Sequence, residues 1–206
     1  MIITYFGLEF FKLQFGNLTL AINPIGKSSK GKSSHFGADI ALVSLDHPDF
    51  NGVEHLSHGD RSPFIISGPG EYEIKEIVVK GYPIKTTYEG KERWNTVYYL
   101  TLDGMNVCFL GILDSPVFSE KLLEHIGEVD ILFVSASGIA LSSGDAHKAT
   151  LPFEPSLVIP AYSDPSSLKK FLHEAGAEDV KPVDKYTVKK KDLEGKEGDV
   201  LVLKAM

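Results

Sequence analysis

The sequence predicts an α/β chain in which two β-sheets are sandwiched between helices. Three observations carry that expectation. Short apolar or alternating runs bounded by turn residues recur through both halves of the chain. Helix-type segments with capping residues fall among the strands of the second half. No linker-like stretch or internal repeat divides the 206 residues, so a single domain over residues 1–206 is expected.

The elements follow in order. Ile2-Ile3-Thr4-Tyr5 reads as an opening strand, and Gly16-Asn17 as the turn between strands Phe11–Phe15 and Leu18–Ile22. Residues 26–37, rich in Gly, Ser and Lys, read as a loop. The run 38–44 is short and apolar enough for a buried strand that ends abruptly at Leu45-Asp46-His47-Pro48-Asp49-Phe50. Strands are expected near 64–66, 72–74 and 77–79, with a hairpin of 97–102 and 107–110 across Asp103-Gly104. Residues 119–126 carry a helical pattern, 130–135 a buried strand, and 157–160 a short strand. Asp164-Pro165 supplies an N-cap and a first-turn proline for a helix that Gly176 ends. Strands near 186–190 and 200–203 close the chain.

Composition excludes several classes. The formal charge of −7 disfavours phosphate backbones as partners, and the basic run 189–191 is offset by Asp192, Glu194, Glu197 and Asp199. No apolar run reaches membrane-spanning length, and Met1 leads directly into a strand pattern rather than an export signal. One cysteine, Cys108, permits no internal disulfide and suits a reducing compartment, so a cytoplasmic location is expected. It sits in an alternating strand, as a small core residue does. Gly-x-Ser-x-Gly is not matched around Ser135 and Ser137, because Phe stands at position 133. Gly68-Pro69-Gly70 lacks the ending of a phosphate loop and reads as a tight turn.

The segment where the buried strand at 38–44 ends is the natural place for a site, since a rigid element fixes the side chains there. Leu45-Asp46-His47-Pro48-Asp49-Phe50 resembles the His-x-His-x-Asp-His signature of the metallo-β-lactamase superfamily. Asn23-Pro24 resembles the family's Asp-Pro, and the glycine-rich element 68–74, Arg93-Trp94-Asn95-Thr96, the strand end 108–113 and Val158-Ile159-Pro160-Ala161-Tyr162 resemble elements of its UlaG-like subgroup, in the same order along the chain. The resemblance implies a four-layer αββα sandwich in which segments 45–50, 84–88, 111–114 and 160–163 meet at one edge.

It also implies which side chains would hold metal, and most are missing. Leu45 and Phe50 stand where the family has histidines, Ile112 where it has a bridging aspartate, and Tyr162 where it has the last histidine. A further histidine position falls at or within a residue or two of Thr86. Only His47 and Asp49 match. Leucine, phenylalanine and isoleucine cannot coordinate a cation, and two ligands do not make a tight zinc site. The expectation is therefore a degenerate zinc site with no cofactor, the alternative being a single weakly bound zinc. His47 is expected to pair with Asp49 or Asp46, and Asp49 to cap a short following helix. His35, His55, His58, His147, Asp114 and Asp145 are the other side chains able to rebuild a site, with Asp145 read as an N-cap. Three functions stay open. The chain is a non-catalytic binding or scaffold relative of the hydrolases, an altered hydrolase using His47, Asp49 and waters, or a small-molecule binder. In the last, Thr86 and Tyr162 supply polar groups and Leu45, Phe50 and Ile112 the walls. The partner is accordingly a small molecule or a protein, neither nucleic acid nor membrane.

Overall fold

The computed structural model describes residues 1–60 and 62–206. The chain forms β1 (Ile2–Tyr5), β2 (Phe11–Phe15), β3 (Leu18–Ile22), β4 (Ile40–Leu42), β5 (Phe64–Ile66), β6 (Gly70–Ile74), β7 (Ile77–Tyr88), β8 (Lys91–Leu102) and β9 (Met105–Phe109). Then come α1 (Glu120–Ile126), β10 (Ile131–Ser135), α2 (Ser143–Thr150), β11 (Leu157–Ala161), α3 (Pro165–Glu174), β12 (Tyr186–Thr187) and β13 (Asp199–Val200). Among the described residues these make a six-stranded sheet, ordered β12-β1-β2-β3-β4-β5, and a seven-stranded sheet, ordered β13-β11-β10-β9-β8-β7-β6.

Each sheet begins as an antiparallel meander joined by tight turns and ends in parallel strands. Parallel neighbours need a crossover. Helices α1, α2 and α3 supply those of the second sheet, which places them on its outer face. Their apolar sides pack there on Cys108, Leu132, Val134 and Val158. The alternate residues of the same strands, with those of β1 to β4, fill the main core between the sheets, where Tyr5, Phe11, Phe109 and Phe133 are fully buried. The expected sandwich is thus present. Its outermost layer over the first sheet is thin: a 3-10 turn, Val53–His55, and the loop before it cover Phe10, Ala21 and Ala41 with Phe36, Val53 and Leu56.

Several boundaries moved. β7 and β8 are each twelve residues long, far beyond the expected 77–79 and 97–102, and pair through the register Tyr88↔Lys91. Glu89 and Gly90 form the turn, both at positive φ (49° and 72°), the geometry that matches strand twist in a two-residue hairpin. Only Tyr186–Thr187 is strand at the first closing segment, because Lys190–Leu193 winds into a 3-10 turn. The last strand is Asp199–Val200, ahead of the expected 200–203. Helix α2 is capped by Ser142, not by Asp145: the Asp145 amide donates to the Ser142 hydroxyl, and that hydroxyl donates back to the Asp145 carboxylate. No helix among the described residues is long and apolar enough to cross a membrane.

Candidate functional site

The C-terminal ends of β4, β9, β10 and β11 open toward one edge, as strand ends do at the binding crevices of α/β sheets. β8 stitches that edge together. The Thr96 amide donates to the Ser44 carbonyl (2.7 Å), Leu45 bridges to Asn95, and the Tyr98 hydroxyl donates to the Val43 carbonyl (2.8 Å). Asn95 is fully buried and holds the opposite strand end: its amide donates to the Leu110 carbonyl (2.8 Å) and its oxygen accepts from the Ile112 amide (3.0 Å). Gly111 between them sits at φ +65°, where a Cβ would lie 2.3 Å from the Asn95 oxygen. Asn23, also at positive φ, completes the edge by exchanging two hydrogen bonds with Ser44.

These constraints bring Leu45, Phe50 and Ile112 together. With Tyr88 they form a separate buried apolar cluster, closed on one side by Ala140. Tyr88 lies two residues beyond Thr86 on the same face of β7. Thr86 is buried as well, but its hydroxyl has no hydrogen-bond partner. Segment 160–163 reaches the same edge, since the Ser163 hydroxyl donates to the Ser137 carbonyl (3.1 Å) and Ser137 borders the cluster. The Tyr162 side chain, however, turns to the main core: its hydroxyl donates to the Leu203 carbonyl (2.9 Å) and its ring packs on Tyr5.

The two matching residues stand at the rim. The Asp49 amide donates to His47 Nδ1 (3.2 Å), which leaves the proton of a neutral ring on Nε2, 3.2 Å from the Glu89 carboxylate. Glu89 was not foreseen; the Tyr-Glu-Gly-Lys turn between two β-type runs was the local signal that could have placed it. Asp49 caps no helix, as the 3-10 turn starts from Gly52 without a side-chain cap. Its carboxylate instead accepts from the Ser29 and Tyr88 hydroxyls. Burial first, then this bond, pushes the Tyr88 phenol far up.

His47, Asp49 and Glu89 are the group of potential metal ligands that the fold assembles among the described residues, with one ligand atom from each within 4.8 Å of the others. The remaining candidates are scattered. His35 stacks edge-on against buried His55 beneath the first sheet, His147 packs on Phe171, and exposed Asp145 pairs with Lys148. His58 is exposed, and Asp114 is occupied by the Thr87 amide. Cys108 is fully buried, and burial raises its thiol pKa.

Beneath the rim lies a group that the sequence did not single out. Glu9, in the turn after β1, is buried with one carboxylate oxygen unpartnered, beside Leu8, Phe50, Tyr88 and Ile112. Burial, only partly offset by the Ser135 hydroxyl, pushes its carboxyl up to about 8.

A family model described as the beta-lactamase superfamily domain matches residues 2–162. The chain belongs to that family. Solved structures of the same fold cover it almost end to end. A candidate Zn-dependent hydrolase of the metallo-β-lactamase superfamily from Thermotoga maritima is 24% identical, with 98% of this chain and 97% of that one covered and a TM-score of 0.76. A candidate metal-dependent hydrolase from Parabacteroides distasonis is 18% identical, with 98% and 93% covered and a TM-score of 0.67. An isothiocyanate hydrolase from Delia radicum gut bacteria is 12% identical, with 92% and 100% covered and a TM-score of 0.65. At these identities the likeness establishes the metallo-β-lactamase fold. No curated protein matches the chain.

Zinc takes nitrogen, oxygen or sulfur donors, and a pair of zinc ions takes a bridging oxygen between them. Buried Leu45, Phe50 and Ile112 offer none of these, so a dinuclear centre of the superfamily kind does not fit. A single ion at the rim has three donors within reach but a conflict between them. Binding through His47 Nε2 moves the ring proton to Nδ1, whose nearest carboxylate is Asp49, 3.4 Å away. Asp49 then orients the histidine instead of ligating.

Proposed function

We propose that this chain is a UlaG-like member of the metallo-β-lactamase superfamily that has lost hydrolytic function and serves as a binding or scaffold module. The observation that supports the reading is the buried apolar cluster of Leu45, Phe50, Tyr88 and Ile112 at the edge where the superfamily binds metal. Leu45, Phe50 and Ile112 provide no ligand for the ion that would activate a hydrolase's water. The test is metal content. Protein purified from zinc-supplemented medium should hold well under one equivalent of zinc, iron or manganese, and a chelator should leave its melting temperature unchanged. A ligand confined to the folded state would otherwise raise it. Stoichiometric metal surviving dialysis overturns the proposal.

One observation favours a second reading, an altered hydrolase with a single ion. It is the grouping of His47, Asp49 and Glu89 within ligand reach of one another. On that reading Glu89→Gln abolishes zinc-dependent stabilisation while leaving the metal-free fold intact.

A further inference from the structure

The remodelled edge keeps one polar group that its apolar filling does not explain. Glu9 is 2% exposed, and among the described residues no cationic side chain pairs with it. Its side chain lines a cavity of about 10 Å³, room for one water-sized centre. The rings of Phe50 and Tyr88 and the side chain of Ile112 wall that space. Ser137 adds a hydroxyl, and half-exposed Ile139 forms the outer wall on the solvent side.

A buried carboxyl group with one oxygen unpartnered costs stability, and an apolar residue would fill the same space at lower cost. A small cation supplies the missing partner. A carboxylate facing two aromatic rings is the chemistry that recognises organic ammonium groups, since the rings attract the cation and the carboxylate accepts its N–H bonds. A hydroxyl at the remaining side accepts a further N–H. A space of about 10 Å³ matches the size of an ammonium head, and Ile139, which lines it, is half-exposed.

We propose that Glu9, Phe50, Tyr88 and Ser137 form a binding site for the head group of a primary ammonium ligand. This rests on the reading of a metal-free binding pocket and names its ligand class. On binding, the Glu9 carboxyl gives its proton to solvent and the ammonium N–H groups take its place. The charged and titratable groups facing Glu9 are the Tyr5 and Tyr88 phenols, and behind Tyr88 the Asp49 carboxylate; each of these is neutral or anionic.

The test uses the full chain and methylammonium chloride, with tetramethylammonium chloride and sodium chloride at equal ionic strength as controls. Methylammonium should raise the melting temperature saturably, tetramethylammonium should not, and Glu9→Gln should abolish the difference. Calorimetric titration in buffers of differing ionisation enthalpy needs no variant. At pH 7 it should report release of about one proton per ligand, because the carboxyl is mostly protonated there. Affinity should weaken about tenfold per pH unit below 7, as the ionised fraction falls. Equal stabilisation by all three salts, a response that survives in Glu9→Gln, or binding without proton release overturns the proposal. Retained stoichiometric metal overturns the metal-free reading beneath it; a metal-free protein indifferent to methylammonium overturns this inference alone.

Discussion

The Tyr88 hydroxyl donates to the Asp49 carboxylate at 2.9 Å, while the ring of the same tyrosine stands edge-on to Phe50 with centroids 5.2 Å apart. One side chain thus donates to the Asp49 carboxylate and fills the space beside it. A partly buried carboxylate needs donors, and Tyr88 provides one from within the apolar cluster. Tyr88→Phe keeps the packing and removes the donor. The expected loss is about 1–2 kcal/mol, in the range for a hydrogen bond to a charged, partly exposed group. Urea denaturation reads it, and a midpoint shift indistinguishable from zero would show that solvent replaces the phenol at no cost.

Ile112→Asp should destabilise the protein by several kcal/mol or force the new carboxyl to stay protonated, on the order of the penalty for an unpaired buried charge. Ile112 is 2% exposed and buried in the apolar cluster of Leu45, Phe50 and Tyr88, with the Glu9 pocket beside it and no cationic side chain in the cluster. Combining that change with Leu45→His, Phe50→His and Tyr88→His should recover part of the loss once zinc is added, since these positions already converge. Thermal melts with and without zinc decide it. Identical melts for the combined variant would mean that the backbone at this edge no longer aims the side chains at one point. Tyr162→His is not expected to help, because position 162 directs its side chain toward Leu203.

Stability should fall as pH rises from about 4.5 to about 8. Glu9 has an ordinary value of 4.5 and a folded value of about 8, so in this interval the folded chain binds a proton that the unfolded chain has released. The stabilisation is complete below 4.5, is lost progressively across the window, and changes no further above 8. Glu9→Gln should flatten this dependence and make the protein relatively more stable at pH 8 than at pH 5. Chemical denaturation at several pH values measures it; a wild-type profile with the same slope as the variant would show that Glu9 ionises freely.

Asn95→Leu should cost about 2–4 kcal/mol, as it strands the buried Leu110 carbonyl and Ile112 amide together. Gly111→Ala should be destabilising as well, from its positive φ and from the approach of the new Cβ to Asn95. Both are read by equilibrium unfolding, and a neutral Asn95→Leu would show that the strand end re-forms its bonds elsewhere.

Local patterning carried much of the architecture. The hairpin Phe11–Phe15/Leu18–Ile22 and helix α3, capped by Asp164 with Pro165 at its first position, fall where the residues predict. Their signals are complete within a few residues: alternation, a Gly-Asn turn, a cap. The length of β7 and β8 was hidden. Lys85, Thr87, Lys91 and Glu92 are polar and Pro83 interrupts the run, so only pairing along the whole ladder keeps these residues extended.

The sequence by itself determined what the edge lacks. Leucine, phenylalanine and isoleucine at positions 45, 50 and 112 have no donor atoms in any conformation. The tertiary structure alone decided what the edge became. Tyr88 meets Asp49 across 39 positions, and Tyr5 meets Tyr162 across 157. Glu89 reaches His47 because a two-residue turn holds it at positive φ, and Glu9 is buried because distant strands close over it. Burial and partnership depend on which segments pack together, and no local periodicity encodes that; a glutamate in a turn reads as solvent-exposed until the opposite sheet is in place.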